Sequence, residues 1–235
     1  MTESPAQPIM FAHRGARIEF PENTLPAFEA ALAAGATGLE SDAWICADDT
    51  VVLAHDRWVG HWPRRRNVRE STSDALSAFG VPKLSEVYTK LGSNFEFSID
   101  AKHHKVIEPM IQVARDHSAE GRLWLCYPVQ EALQAIRKAT SARLVHSCPK
   151  DRLPVGVEQH ARNLQMAGID AMNFRHTEWT AGLVALFHRF EIKALAWDVQ
   201  EVRHLKEMTR IGIDGLYCDR PNRMVETVAH QVSNG

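Results

Sequence analysis

The sequence predicts an α/β protein, a single TIM-type (β/α)8 barrel with a β-hairpin and a small insertion after the second strand. Short runs rich in β-branched and aromatic residues alternate with helical patterns, which is typical of a parallel sheet. The chain has 235 residues, close to the ~250 of one such barrel. Charged residues and histidines stand where several predicted strands end, which is where a barrel carries its active site.

Nine runs have the composition and length of strands. They are Ile9 to Ala12, Gly38 to Ile45, Val51 to Ala54, Phe95 to Asp100, Leu123 to Tyr127, Ala142 to His146, Ala171 to Phe174, Ala194 to Val199 and Gly215 to Cys218. Only Cys46 to Thr50 separates the second run from the third, which is too short for a parallel crossover and suits a hairpin that turns at Asp48 and Asp49. Setting this returning strand aside leaves the eight that a barrel needs.

Helical patterns fill most of the gaps between the strands. The first begins after the candidate N-caps Asn23 and Thr24, has Pro26 in its first turn and ends at Gly35. Further helices are predicted at Val106 to His117, Gln130 to Ala139, Val157 to Ala167, Ala181 to Phe190 and Val202 to Arg210. No glycine-rich dinucleotide-binding motif follows the first strand, so a closed barrel is favoured over an open doubly wound sheet.

Composition predicts one globular domain over residues 8–230, with short polar termini at 1–7 and 231–235. Apolar residues make up 45% of the chain and charged residues 24%. The formal charge of -2 and the pI near 6.6 give no electrostatic footprint for nucleic acid or for an anionic membrane surface. Nucleic acid is therefore not an expected partner, while the oligomeric state is left open.

The first residues and the cysteines bear on location. Met1 to Gln7 contain neither a basic n-region nor an apolar h-region, so a cytoplasmic protein without a stable membrane anchor is expected. The four cysteines are widely spaced, unlike a zinc site or a redox motif, and most fall in or beside strand-like runs. We therefore expect reduced, mostly buried thiols at Cys46, Cys126, Cys148 and Cys218.

The strand ends carry residues suited to binding a metal and splitting a phosphodiester. They are His13 and Arg14, Glu40 and Asp42, His55, and Asp100 and Lys102. Glu40 and Asp42 are alternate residues of one strand and therefore point to the same face. Three carboxylates suit Mg²⁺ or Ca²⁺ better than zinc. Attack on phosphorus builds negative charge on its oxygens, which a divalent metal, Arg14 and Lys102 can meet.

Two histidines supply the proton transfers. His13 and His55 are predicted to be the general acid and base, one deprotonating the attacking oxygen and the other protonating the leaving alcohol. The sequence leaves open which does which. The predicted hairpin returns His55 to the mouth of the barrel, opposite His13.

Taken in order, these motifs resemble those of the glycerophosphodiester phosphodiesterase family. The matching segments are Ala12-His13-Arg14-Gly15, Pro21-Glu22-Asn23-Thr24, Glu40-Ser41-Asp42, His55-Asp56, Asp100-Ala101-Lys102, Trp197-Asp198-Val199-Gln200, Gly212-Ile213-Asp214-Gly215 and Asp219-Arg220-Pro221. The resemblance implies a metal-dependent barrel hydrolase that converts small glycerophosphodiesters into sn-glycerol 3-phosphate and an alcohol. It also implies attack by the neighbouring glycerol hydroxyl of the substrate, while direct attack by water stays open.

Four other residues receive expectations of their own. Trp197, at the end of a late strand, is expected to form a wall against the glycerol rather than part of the core. Glu22 is expected to orient Arg14 or His13 from behind the metal site. Asp214 and Asp219 are expected to be structural.

The sequence departs from the family pattern at two positions. Asp100 stands where the family usually carries a third metal-binding glutamate, so its carboxylate is one methylene shorter and metal affinity or choice can differ. Gln200 stands where asparagine is common.

Several alternatives stay open. The aromatic and basic segment from Asp56 to Arg66 is either a small lid or a solvated loop whose tryptophans pack locally. Lysophospholipase D-type hydrolysis of a lipid diester and a phospholipase C-like reaction differ in substrate and product. A phosphate-ligand binding protein without turnover is a further alternative, which Asp100 favours.

Overall fold

The computed structural model describes residues 7–233, and most of the predicted polar termini at 1–7 and 231–235 lies outside these residues. Eleven strands are present among these residues. They are β1 (Ile9–His13), β2 (Gly38–Ile45), β3 (Val51–Leu53), β4 (Trp58–Val59), β5 (Arg66–Asn67), β6 (Glu96–Ala101), β7 (Leu123–Tyr127), β8 (Arg143–Ser147), β9 (Ala171–Arg175), β10 (Lys193–Trp197) and β11 (Gly215–Cys218). All nine predicted strands are found, with ends that either coincide with the prediction or differ from it by one or two residues.

Eight strands close into a parallel barrel, as predicted. Their order around the barrel is β1, β2, β6, β7, β8, β9, β10 and β11, and β11 pairs with β1 to close the ring. β3 lies outside the ring and pairs antiparallel with the last residues of β2, from Ala43 to Ile45. The hairpin therefore rises above the end of the barrel and returns the chain to it, because Ala54 donates its backbone N–H to the carbonyl of Asp42.

The described residues form nine α-helices. They are α1 (Leu25–Ala33), α2 (Ser73–Ser77), α3 (Leu84–Leu91), α4 (Ile107–Asp116), α5 (Gln130–Ile136), α6 (Val157–Ala167), α7 (Ala181–Arg189), α8 (Val202–Arg210) and α9 (Pro221–Ser233). The six predicted helices are present, and Thr24 caps the first by accepting from the N–H of Ala27. Sequence reasoning missed α2, α3 and α9, and α9 runs past the predicted domain end at residue 230. The five residues of α2 are too few to show a helical period.

The barrel interior is filled by alternate residues of the strands. Phe11, Trp124, Cys126, Val145, Ala171, Leu195 and Tyr217 form one buried cluster. Phe11 stacks on Tyr217 with ring centroids 4.8 Å apart, and a Cβ at Gly38 would lie 2.6 Å from the Phe11 ring. Because side chains on one face recur every second residue, the same rows continue upward to the residues at the mouth, such as His13 two positions after Phe11.

The insertion after β3 has a small core of its own. Val52 of β3 packs with Val68 and Leu76 of the insertion in a buried cluster separate from the barrel. β4 and β5 pair antiparallel above this cluster. The packing holds the end of the hairpin, and hence His55, at a fixed place beside the barrel mouth.

The cysteines and the helices bear on the expectations about location. All four cysteines are free thiols, with Cys148 the least buried, as expected. Among residues 7–233, no helix is long and apolar enough to cross a membrane. The cytoplasmic location stays a prediction.

A buried histidine pair makes the stability of the fold depend on pH. His160 of α6 is 1% exposed, and its Nε2 lies 3.1 Å from Nδ1 of His146 on β8. Burial, with a smaller contribution from His146, lowers the pKa of His160 to about 4. As the pH falls, His160 of the unfolded chain therefore binds a proton near pH 6.5, whereas His160 of the folded chain binds it only near pH 4.

We expect the free energy of unfolding to fall as the pH drops from 6.5 towards 4, by up to about 3 kcal/mol from this residue. Urea unfolding of the wild type and of His160→Gln at a series of pH values checks this. The variant retains a side-chain amide that can donate to His146 and should show a flatter pH dependence. Equal slopes for the two proteins would show that His160 does not carry the effect.

Candidate active site

A cleft of about 410 Å³ opens at the end of the barrel where the parallel strands finish. Its lining includes seven of the predicted site residues at the strand ends and Trp197 as well. They are His13, Arg14, Glu40, Asp42, His55, Asp100, Lys102 and Trp197. Residues from five different strand ends or their following loops thus meet in one place, because parallel closure brings the carboxyl ends of the barrel strands together.

His13 is held from both sides by carboxylates. Its Nδ1 lies 2.6 Å from Oδ1 of Asp219, and its Nε2 lies 3.7 Å from Oε2 of Glu40. Burial would lower the pKa of His13, but the two carboxylates outweigh it and the pKa is raised above its ordinary value. Nδ1–H of His13 donates a hydrogen bond to Asp219, which leaves Nε2 on the side of Glu40 and the cleft.

The expectation that Asp219 is merely structural is wrong. Burial would raise the pKa of Asp219, but the hydrogen bond from His13 lowers it, so its carboxylate stays ionised beside the ring. The backbone N–H of Asp219 donates to Oε1 of Gln200 at 3.0 Å. Gln200, the residue that departs from the family pattern, thereby fixes the loop that carries Asp219. Asp214 accepts from the N–H of Ala194 at 2.8 Å, at the opposite end of β11, and is structural as expected.

Three carboxylates converge on the floor of the cleft. Glu40, Asp42 and Asp100 each present an oxygen within 4.8 Å of the others, and Asp42 of β2 stands in register with Asp100 of β6. Burial, followed by repulsion among the three, raises the pKa of Glu40 to about 8 and that of Asp100 to about 6. Asp42 Oδ2 is buried with no hydrogen-bond partner among the described residues.

This donor set fits a hard divalent cation. Crowded, buried carboxylate oxygens repel one another until a cation neutralises them, and oxygen ligands are those that Mg²⁺ and Ca²⁺ take. No other group of three such side chains that could hold a metal is found between residues 7 and 233. The shorter side chain of Asp100 still reaches the cluster.

Two cations flank the carboxylates. Lys102 Nζ lies 2.6 Å from Oδ1 of Asp42, and Arg14 Nε lies 3.5 Å from Oδ2 of the same residue. The backbone N–H of Arg14 donates to Oε2 of Glu40 at 3.0 Å. Glu22 lies outside the cleft lining and accepts from Arg14 Nη1 at 3.1 Å. It also pairs with Arg17 at 2.8 Å, so it holds two arginines at the rim.

The glycine after Arg14 is required by the fold. Gly15 has a φ of 79°, and a Cβ there would lie 2.7 Å from the backbone of Ala27 in α1. The close approach of α1 to this turn brings Arg14 over the mouth. Glycine therefore follows Arg14 for a steric reason, because a larger residue in this turn would collide with α1.

His55 and Trp197 lie at the rim of the cleft. His55 Nδ1 is 2.9 Å from Oδ1 of Asp56, and its ring lines the cleft. Trp197 is 40% exposed and stacks under the guanidinium of Arg175 at 5.6 Å. The strand ends here because Asp198 adopts a φ of 63°, which is why β10 stops short of the predicted Val199.

Several lining residues were not predicted. Arg17, Ser147, Asn173 and Asp219 also line the cleft. Asn173 donates to Ser147 Oγ at 3.3 Å, and its Oδ1 is buried without a hydrogen-bond partner among the described residues. Ser147 and Asn173 point inward because each lies two residues after an interior residue of its strand, Val145 of β8 and Ala171 of β9. The alternation of side chains along a strand could therefore have identified them.

The segment from Asp56 to Arg66 contributes no residue to the described cleft lining. It forms the β4–β5 hairpin, in which Arg65 lies over the Trp58 ring at 5.2 Å. Trp58 packs locally, as the loop alternative expects, whereas Trp62 is 90% exposed, so both alternatives stay open.

The fold and the cleft were compared with known proteins. The model of the glycerophosphoryl diester phosphodiesterase family matches residues 13–223. The chain belongs to this family. Members of this family are phosphoric diester hydrolases, so this protein is an enzyme of that class.

Individual relatives agree with this assignment. The chain is 25% identical to a glycerophosphodiester phosphodiesterase of Caldanaerobacter subterraneus subsp. tengcongensis, over 94% of this chain and 97% of that protein. The crystal structure of the Thermotoga maritima glycerophosphodiester phosphodiesterase superposes with a TM-score of 0.82 at 19% identity, covering 93% of this chain and 97% of that one. An Oleispira antarctica phosphodiesterase in complex with the product sn-glycerol-3-phosphate gives 0.80 at 16%, covering 95% and 97%. These two structures share the barrel fold.

Proposed function

We propose that this protein hydrolyses glycerophosphodiesters to sn-glycerol 3-phosphate and an alcohol, with a divalent cation and with His13 and His55 as acid and base. The observation that carries the proposal is one cleft in which a three-carboxylate cluster faces His13 and is flanked by Arg14, Lys102 and His55. The family membership and the small volume of the cleft favour a small-molecule diester.

Glu40, Asp42 and Asp100 would hold the cation, which we expect to be Mg²⁺ or Ca²⁺. When bound, such a cation supplies positive charge where the phosphoryl oxygens become more negative. Arg14 and Lys102 add positive charge from the protein at the same edge of the cluster. Glu22 keeps Arg14 in place by accepting from its guanidinium.

The two histidines are arranged alike for proton transfer. Asp219 accepts from Nδ1 of His13 and Asp56 contacts Nδ1 of His55, so each ring turns Nε2 towards substrate. One Nε2 takes the proton of the attacking hydroxyl, from the glycerol itself or from water, and the other gives a proton to the leaving alcohol. Because the two rings have similar contacts, either His13 or His55 can be the base and the other the acid.

Trp197 would bound the glycerol side of the cleft. Its ring is exposed at the end of β10 and is held by Arg175, which is itself paired with Asp198 at 2.6 Å. A flat apolar face beside the phosphate site suits the carbon backbone of glycerol. The leaving alcohol would then lie on the opposite side, towards the open rim of the cleft.

The positioning of His13 by Asp219 gives a testable expectation. In Asp219→Asn the side-chain amide can donate to Nδ1 and so favour the wrong tautomer, and kcat should fall by roughly 10–100-fold. KM should change little, because Asp219 acts through His13. Asp214→Asn, at the far end of β11, serves as the control. Equal losses in both variants would indicate a structural effect.

The reaction itself is tested by following glycerol 3-phosphate release from glycerophosphocholine. Protein stripped with EDTA should be inactive, and Mg²⁺ or Ca²⁺ should restore release. Parallel assays with lysophosphatidylcholine separate a preference for a lipid diester, and release of phosphocholine would identify a phospholipase C-like reaction. Binding without any product would indicate a protein that has lost turnover.

A further inference from the structure

Exposed apolar side chains are concentrated at the mouth end of the barrel. Among the described residues nine large apolar side chains are exposed. Eight of them lie in a loop, strand end or helix start that follows the carboxyl end of a strand: Ile18, Phe20, Trp58, Trp62, Val129, Val155, Trp197 and Val202. Only Met166, at the end of α6, lies at the opposite end. This concentration at one end makes the mouth face a candidate contact surface.

The most exposed of these residues lies in a basic segment. We call residues 56–69, which contain β4 and β5, the rim hairpin. It carries five arginines against one aspartate, in a chain whose net charge is -2. Trp62 is 90% exposed and directly precedes Pro63 and the run Arg64 to Arg66. The chain therefore concentrates positive charge beside its most exposed aromatic ring.

No carboxylate of the part of the chain that the structure describes neutralises the charge of this run. The one aspartate of the rim hairpin, Asp56, contacts His55, and Glu70, just beyond it, pairs with Arg57 at 3.4 Å. Between residues 7 and 233 no carboxylate forms an ion pair with Arg64, Arg65 or Arg66.

We propose that the mouth face docks reversibly on an anionic lipid surface, with Trp62 and Arg64 to Arg66 of the rim hairpin as its main contacts. Arginines meet lipid phosphates, and a tryptophan ring settles at the level of the headgroups. A second copy of this chain fits less well, since a symmetric contact would set the arginine runs against each other. His55 directly precedes the hairpin, so docking turns the cleft towards the lipid.

Vesicle sedimentation with the full-length protein tests the docking. We expect binding to vesicles of phosphatidylcholine mixed with phosphatidylglycerol and little binding to phosphatidylcholine alone. Replacing Arg64, Arg65 and Arg66 together by alanine should lower the partition coefficient on the order of 100-fold. Trp62→Ala should lower it roughly tenfold. Added salt should weaken the wild-type binding.

Matched controls come from the other end of the barrel. Lys90, Lys138 and Arg210 are exposed residues in the last turns of helical segments there. Replacing all three by alanine removes the same charge as the arginine variant and should leave vesicle binding unchanged. Met166→Ala is the control for Trp62→Ala, since Met166 is 77% exposed.

Several outcomes would overturn the proposal. They are failure of the wild type to bind anionic vesicles, an equal loss in the control variants, tighter binding to a single-stranded oligonucleotide than to the vesicles, and a dimer in solution that the hairpin variants dissociate. Loss of glycerophosphocholine turnover in the hairpin variants would assign the segment to the cleft instead. Docking is measured without turnover, so its failure is distinguishable from failure of the proposed reaction.

Discussion

His13→Gln and His55→Gln should each lower kcat for glycerophosphodiester hydrolysis on the order of 10²–10⁴-fold. Each ring has a carboxylate on its Nδ1 side, Asp219 in one case and Asp56 in the other, which leaves Nε2 available for proton transfer. Glutamine keeps a polar side chain of similar reach but cannot exchange a proton near neutral pH. Steady-state release of glycerol 3-phosphate measures the loss.

Further variants separate acid–base catalysis from folding. The double variant should lose less than the product of the two single effects, because the two groups serve one reaction. His104→Gln is the control, since His104 is exposed and lies outside the cleft lining. Full activity in either single variant, with an unchanged circular dichroism spectrum, would remove that histidine from the mechanism.

Glu40→Gln should abolish cation binding while leaving the metal-free fold intact. Its carboxylate is one of three crowded oxygen donors, and removing one of them should weaken Mg²⁺ or Ca²⁺ binding at least roughly 100-fold. Titration calorimetry measures this directly. Activity with added metal should fall in parallel.

The same substitution should weaken cation binding without lowering the stability of the metal-free protein. Burial, with repulsion from Asp42 and Asp100, raises the pKa of Glu40 to about 8. In metal-free protein its ionised form therefore costs stability, progressively more as the pH rises from 4.5 towards 8. Glutamine resembles the protonated form and can accept from the N–H of Arg14, so metal-free stability at neutral pH should be equal or higher.

Glu22→Gln is the matched control for this experiment. Glu22 is a carboxylate beside the same arginine but outside the cleft lining, so its loss should leave cation affinity almost unchanged. Equal loss of cation binding in both variants, or clear destabilisation of metal-free Glu40→Gln, would contradict the assignment of Glu40 as a ligand.

Much of the architecture was predictable because its signals are local. Strand runs such as Leu123–Tyr127 and Gly215–Cys218 coincide with the prediction, since short apolar runs between turn residues suffice to identify them. The hairpin followed from a connection too short for a parallel crossover. The missed α3 follows the inserted segment, where no strand alternation marks its place.

The candidate site was predictable to the extent that strand ends are visible in the sequence. Glu40 and Asp42 lie on one face because side chains alternate, and their convergence with Asp100 follows from the parallel neighbours β2 and β6. Asp219 was misjudged because its partner His13 is 206 residues away. Gln200 was noted as a departure from the family pattern. Its hydrogen bond from the Asp219 backbone could not be predicted, because it forms only where the loops after β10 and β11 come together.

The sequence by itself determined the fold class, the strand-end residues and the set of carboxylates, because periodicity, turn chemistry and residue type are properties of neighbouring positions. Only the tertiary structure decided that Asp219 holds His13, that burial raises the pKa of Glu40, and that exposed apolar side chains gather at the mouth. These three features depend on barrel closure, which brings distant strand ends together and sets which surfaces lose water.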